Sequence, residues 1–495
     1  MWWYCYPLRY WIQFYFSSSC LFDNITHPQL NAMSLEKDLH PSDEEIQDPT
    51  TPVDHTIIHP VKWYRSTTYN ALVLGLCNFL APGIWTAMNS LGGGGSESPY
   101  LVDAANALTF GLMVFSCFFG SILVRFVGIK YTLVLGTVGY APYAAGLYTH
   151  NRFGTDWLVL FGAALCGLSA GVFWMAESAI ALSYPEPGNQ GRFLGLWLSF
   201  RVGGQILGGA INLGLNVGRS TAGSVSYAVF GVFIALQALG PVGGLLLTAP
   251  ERVQRRDGQK VRLRIAHNPW YEMKAMVGMF CRREFLLILP LIAQATYTEA
   301  VMFTYLDLWF SVRVRALASF LSGVLALIGG NVLGWFLDSG LALKVRSRAA
   351  FLVVLGLQGG WWVWATVVTT GYRSDAQTAI DWTDGGFARG FVLYLMWVLG
   401  FQLNYMFLYF VVGNLAADEE EVVRISGLLR GVESAVQAVS YGLSSVGIMA
   451  SVGGTYLNFG LWGISLLPAW LVIRQFGVTL EDRKLAREYG DELVR

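Results

Sequence analysis

Twelve apolar runs, each close to twenty residues or longer, leave this 495-residue chain little choice of solvent other than lipid. A bilayer core about 30 Å thick is crossed by roughly 20 helical residues rising about 1.5 Å each. The runs cover about 69 to 92, 101 to 124, 131 to 149, 157 to 183, 193 to 217, 225 to 248, 285 to 310, 317 to 337, 350 to 370, 388 to 413, 426 to 450 and 455 to 475. The chain is 54% hydrophobic and 13% charged, against about 25% charged in soluble domains, which argues against a soluble enzyme. Its 33 basic and 33 acidic residues cancel, so no polyanion-binding surface and no nucleic-acid partner are expected. The six cysteines form no Cys-x-x-Cys pair, and neither a disulfide framework nor a metal site is expected.

The longest internal polar stretch, residues 249–284, divides the runs into six and six. The expected organisation is a cytoplasmic tail at 1–68, a six-helix bundle at 69–248, a cytoplasmic linker at 249–284, a second six-helix bundle at 285–475 and a cytoplasmic tail at 476–495. With the segment before the first run in the cytoplasm, the inner stretches from Lys37 onward hold 24 of the 33 basic residues, nine of them between Arg252 and Arg283. Outer loops hold six. This asymmetry places both termini on the cytoplasmic side. Residues 1–32 are crowded with aromatics, have one basic flank at Arg9 and make a poor signal peptide; the hydrophilic tail beginning at Met33 is read as the functional start.

Six-plus-six arrays often arise by duplication. A shift of 232 residues lays Arg192, Gly195, Arg201 and Gln205 over Arg424, Gly427, Glu433 and Gln437. A second pair of copies lies after the second and eighth spans. Gly120, Arg125, Gly128 and Lys130 read like the short basic loop of the major facilitator superfamily, with Val124 where an acid is expected. Gly334 and Asp338, followed by Lys344, Arg346 and Arg348, keep the acid. An acid there would be stabilised by the free amide groups at the start of a helix from the other half. The expected inner latch sets Asp338 near Arg192, and Arg125 and Lys130 against Asp418, Glu419, Glu420 and Glu421.

Three stretches are more specific: Ala81-Pro-Gly-Ile-Trp-Thr-Ala-Met-Asn-Ser-Leu-Gly92, Gly139-Tyr-Ala-Pro-Tyr-Ala-Ala-Gly146, and Phe173-Trp-Met-Ala-Glu-Ser-Ala-Ile-Ala-Leu-Ser-Tyr-Pro-Glu-Pro187 running into Gly191-Arg-Phe-Leu-Gly195. In these the sequence resembles the fungal-type uncoordinated-93-like membrane proteins of the major facilitator superfamily, over about residues 63 to 475. The resemblance implies an all-α fold of twelve helices in two bundles and a role in transmembrane transport. It brings no catalytic residue, since the family's substrates are poorly known and animal relatives include ion-channel regulators and receptor-trafficking partners.

Ionisable groups in hydrocarbon need a partner or a wet cavity. Glu177 and Arg201 reach comparable depths on successive spans, which suggests an intramembrane ion pair. Glu299 sits fourteen residues into the seventh span, about 21 Å at 1.5 Å per residue, among Gln294, Thr296, Tyr297 and Thr298. A half-dry cavity disfavours its charged form, as a proton carrier requires. The candidate proton and substrate site is therefore Glu299, Asn89, Gln294, Tyr297, Gln402 and Asn404, with Asn106 a further polar contact and Trp85, Trp174 and Tyr405 as flat walls. Glu433 and Arg430 are assigned to the interface between halves.

Gly167-Leu-Ser-Ala-Gly171 matches the nucleophile-elbow pattern but lies within one apolar helix, where small residues serve close packing. Gly92 to Gly95 has no phosphate-binding helix behind it. With no nucleotide-binding loop in the sequence and no cofactor implied, the expected function is a secondary transporter of a small solute or ion, coupled to protons through Glu299. The alternative is a non-transporting regulator or escort of another membrane protein. A membrane enzyme has no constellation to support it.

Overall fold

The computed structural model describes residues 60–478 apart from 97, 186–189, 262–268, 338, 376–378 and 417–418. The described chain is helical throughout: α1 (Thr67–Asn89), α2 (Tyr100–Val138), α3 (Tyr140–Phe153), α4 (Asp156–Ser183), α5 (Gln190–Asn216), α6 (Tyr227–Leu245), α7 (Pro269–Phe280), α8 (Arg283–Trp309), α9 (Val312–Leu337), α10 (Leu343–Ser374), α11 (Phe387–Leu415), α12 (Glu419–Ser444) and α13 (Met449–Ile473). Nine helical segments among the described residues are long and apolar enough to cross a membrane. The three expected spans outside that set are helical too, but are broken or more polar. The third is split between α2 and α3 at Gly139. The fifth carries Arg192 and Arg201. The eleventh opens on Glu419, Glu420 and Glu421 and ends at Ser444 rather than near 450. The stretch expected to be a polar linker contains the short helix α7.

Local chemistry sets the boundaries. Ser66 caps α1, its hydroxyl accepting the Tyr69 amide at 3.1 Å from an extended backbone, which satisfies one free N–H of the first turn. Pro82 lies within a π-helical segment, Phe79–Gly83. A proline offers no amide to the ladder, and a π-bulge is one way a helix accommodates the gap. At Gly128 the backbone turns through φ 78°, ψ 158°, which L side chains rarely adopt. The second and third runs therefore meet at an abrupt corner, one residue later in sequence than the family loop places its glycine.

Helices pack where glycines let backbones touch. A Cβ at Gly167 of α4 would lie 2.3 Å from the Thr109 carbonyl oxygen of α2, and one at Gly136 of α2 2.6 Å from Phe173 Cα of α4. The nucleophile-elbow lookalike is thus a packing stripe. Gly204 of α5 similarly meets Phe79 and Gly83 of α1. In the later half, the Gln358 amide donates to the Gly400 carbonyl at 2.7 Å and Asn458 to the Thr298 hydroxyl at 2.8 Å, tying α10 to α11 and α13 to α8. The halves meet where Gly209 of α5 abuts Phe320 of α9, and where Phe110 of α2 stacks on Tyr441 of α12 with centroids 5.6 Å apart.

Overpacking a filled site costs typically about 1–3 kcal/mol. Gly167→Val is expected to lower the thermal unfolding midpoint of the purified protein clearly, whereas Gly214→Ala, with nothing within 4 Å of its would-be Cβ, leaves it near wild type.

Candidate functional site

A cavity of about 150 Å³ lies between the halves, with α1, α2, α3, α4 and α5 on one side and α8, α9, α11 and α12 on the other. Its α8 wall is Thr296, Glu299, Met302 and Phe303, the i, i+3, i+4 pattern of a single helical face. The α8 threonines direct their hydroxyls back along the helix, Thr296 to the Ile292 carbonyl at 2.9 Å and Thr298 to Gln294 at 2.9 Å, so this polar stretch satisfies itself. Glu299 accepts a hydrogen bond from the Gln437 amide of α12. One and two turns earlier on α12, Glu433 accepts from Arg430 at 3.2 Å and from the Tyr409 hydroxyl of α11 at 3.2 Å.

Trp174 of α4 carries the contact between halves. The Arg430 guanidinium lies 4.5 Å from its ring centroid and that of Arg201 5.1 Å, within the range for cation–π attraction. The expected Glu177–Arg201 ion pair does not form. Arg201 turns into the cavity, while Glu177 is fully buried and lies outside the cavity lining; similar depth on neighbouring helices does not put two side chains on facing sides. Arg430 and Glu433 do serve the interface, and they line the cavity as well. The repeat register also acquires a location, because Arg201, Gln205, Glu433 and Gln437 all line the cavity.

Of the six proposed site residues, the cavity gathers Glu299 and Gln402. At about 100° per residue, Gln294 and Tyr297 project from other faces of α8, and Asn404 lies about 160° around α11 from Gln402. Gln294 and Gln358 instead form a buried knot with the Asn404 amide, and the Tyr297 carbonyl accepts from Ser440 at 2.7 Å. Asn89 sits one turn beyond Trp85, past the end of the cavity, bonded to Asn106 at 2.9 Å; Asn106 in turn accepts from Tyr143 at 2.7 Å. Trp85, Trp174 and Tyr405 do form walls.

The latch is described only in part. Asp338 and Asp418 fall outside the described residues, as do the side chains of Arg125, Arg192, Glu419 and Glu420. Gly120 packs on Met175, Gly128 forms the corner beside Lys130, and Gly334 is buried in α9. Glu421 pairs with Arg282, which precedes α8 in its own half.

A lock at the opposite end escaped the sequence reading. Arg315 of α9 is 1% exposed and pairs with Asp307 of α8 at 2.5 Å. Its guanidinium also donates to the carbonyls of Leu91 at 2.7 Å, Gly92 at 2.8 Å, Ser96 at 2.9 Å and Gly223 at 3.2 Å. Thr304 donates to Asp103 of α2 at 3.0 Å. Main-chain bonds from Val312 to Thr221 at 3.1 Å and from Arg313 to Arg219 at 2.9 Å complete the seam. Gly92, Gly93, Gly94 and Gly95 all have positive φ, and a Cβ at Gly93 would lie 2.4 Å from the Asp307 carboxylate. The glycine run is therefore a cradle that wraps the ion pair. On the rim, Arg313 and the hydroxyls of Ser311 and Thr383 hold the Asp381 carboxyl below the usual carboxylate range.

This geometry accompanies clear relatives. The family profile described as ion channel regulatory protein UNC-93 matches residues 100–340. The notoamide biosynthesis cluster protein O' of Aspergillus versicolor is 39% identical over 84% of this chain and 90% of its own length. The chain belongs to the UNC-93-like family. An UNC93-like protein of Schizosaccharomyces pombe is 25% identical over 83% of this chain and 82% of its own. A solved D-xylose-proton symporter superposes with TM-score 0.54 and 13% identity over 84% of this chain and 97% of its own. The UNC-93-like chain is thus a multi-pass membrane protein with the fold of major facilitator transporters.

Removing one partner of a buried ion pair costs about 3–5 kcal/mol. Arg315→Gln is expected to loosen the seam. A cysteine placed at Gln402, in a chain stripped of its own thiols, then reacts severalfold faster with an impermeant maleimide applied from the face bearing the Gly92–Gly95 loop. Unchanged labelling would remove the lock.

Proposed function

We propose that this protein is a secondary transporter of a small solute or ion, working by alternating access of two six-helix bundles about the cavity. The carrying observation is that a charged, aromatic-walled cavity lies where the two halves meet, with the Arg315 clamp joining the halves beyond one end of it. In this reading all twelve expected spans cross the bilayer, both termini are cytoplasmic, and the clamp closes the outer side. The solved transporters with the same fold support the reading, as does the D-xylose-proton symporter's name for coupling.

Glu299 is the proposed proton carrier. It is the carboxyl on the cavity wall held by a neutral amide rather than by a paired cation. Arg201, Arg430 and Glu433 lie within electrostatic reach of it. As the halves part, Arg201 of α5 would move away from α8, changing the electrostatic surroundings of the carboxyl between the two states, which is what couples protonation to rocking.

A second reading, a regulator or escort of another membrane protein, is favoured by the family profile's description as an ion channel regulatory protein. The test is uptake of metabolite mixtures into sealed vesicles holding the purified protein, with and without a proton gradient. Gradient-driven accumulation is expected, with Glu299→Gln losing the response to the gradient while retaining solute exchange. If nothing accumulates, the escort reading replaces transport; if Glu299→Gln keeps the wild-type dependence on pH, the carrier role falls.

A further inference from the structure

Two guanidiniums and two carboxylates line the cavity, and one guanidinium is bonded to neither carboxylate. Arg430 is matched by Glu433, and Glu299 is held by Gln437. Arg201, among the described residues, makes no hydrogen bond or ion pair; its contact is the Trp174 ring. A second donor is in the same position: the Trp85 indole Nε1 is buried on the cavity wall with no hydrogen-bond partner. A buried donor left unmade is costly, and a cation in a low-dielectric site more so. Both needs are met by one kind of molecule.

The walls narrow its shape. On one side Trp85 meets Phe110 edge to face, with centroids 5.8 Å apart; on the other Phe401 and Tyr405 stack at 5.8 Å with planes 23° apart. Flat rings on both sides suit a flat apolar body. The cavity volume of about 150 Å³ equals that of an engineered cavity known to take benzene, about 150 Å³, so a ring-sized body fits this conformation. A cationic ligand would have to strip Gln437 from Glu299 or Arg430 from Glu433. A sugar would leave the Arg201 guanidinium without a hydrogen-bonded carboxylate, since Glu299 and Glu433 reach it only electrostatically.

Resting on the transport reading of the cavity, we propose that its substrate class is small flat organic anions, with a carboxylate on Arg201, the ring between the aromatic walls and an acceptor oxygen on Trp85 Nε1. Planar guanidinium–carboxylate recognition uses two parallel hydrogen bonds.

Equilibrium binding of radiolabelled benzoate and indole-3-carboxylate to the purified full-length protein in detergent tests this, with benzamide and benzylamine as neutral and cationic competitors. The acids are expected to bind and the competitors to fail. Loss of a charge-assisted pair should weaken the acids by about tenfold or more in Arg201→Gln, with partial retention in Arg201→Lys and a smaller loss in Trp85→Phe. Monodispersity and an unchanged unfolding midpoint certify each variant; if Arg201→Gln does not fold, the ratio of acid to amide affinity in Arg201→Lys and Trp85→Phe decides. Absence of acid binding to the wild type, equal competition by benzamide or benzylamine, or wild-type affinity in Arg201→Gln overturns the proposal. Vesicle uptake separates the two readings. Acids that bind in detergent but never enter vesicles leave the ligand class standing and remove transport; gradient-driven uptake of a neutral or cationic solute alone keeps transport and removes the anion.

Discussion

Sealing a polar cavity at one end inside a membrane demands a plug whose own polar groups are satisfied without water, and the Arg315 clamp meets that demand. One guanidinium from α9 is matched by the Asp307 carboxylate and by four main-chain carbonyls, three of them from the turn between α1 and α2. An unpaired arginine at this depth would cost several kcal/mol. Because its carbonyl acceptors come from the opposite half of the molecule, those four bonds are made only while the halves are apposed here.

At the level of the cavity the same economy of charge is drawn differently. Arg430 approaches Trp174 from across the interface and is neutralised on its own helix by Glu433. The contact between halves here is cation–π, weaker and less directional than the clamp. The molecule thus has a strong junction at the loop end and a softer one at mid-depth. In the proposed transport cycle that gradient would serve a rocking motion about a central site, since a soft junction can slide while a hard one opens or closes outright.

The fold was largely legible because membrane crossing imposes a length and a composition that any reader of the sequence can count. The corner at Gly128 was legible for a local reason, since a glycine at a loop signature marks a left-handed backbone. Glu299 stood out as a carboxyl in an apolar run. Its partner did not: Gln437 lies on another helix 138 residues later, and nothing in either segment names the other. Asn89, Gln294, Tyr297 and Asn404 were misplaced because polarity was read along the helix rather than around it. Arg315 reads in the sequence as one of the outer-loop charges, and nothing there singles out Asp307 near the end of its span. The four positive-φ glycines beside them were the signal that a backbone, rather than a side chain, supplies the acceptors.

That choice of acceptor has a consequence for how the gate can change over evolutionary time. Carbonyl oxygens belong to every amino acid, so substitutions within the Gly92–Ser96 turn act through the path of the main chain instead of through gained or lost side-chain bonds. Altering the strength of closure by gradual replacement is therefore difficult on the turn and concentrated at two positions, Arg315 and Asp307. Relatives that tune how readily this end parts should differ there first, while the glycine-rich turn drifts only as far as its backbone shape allows.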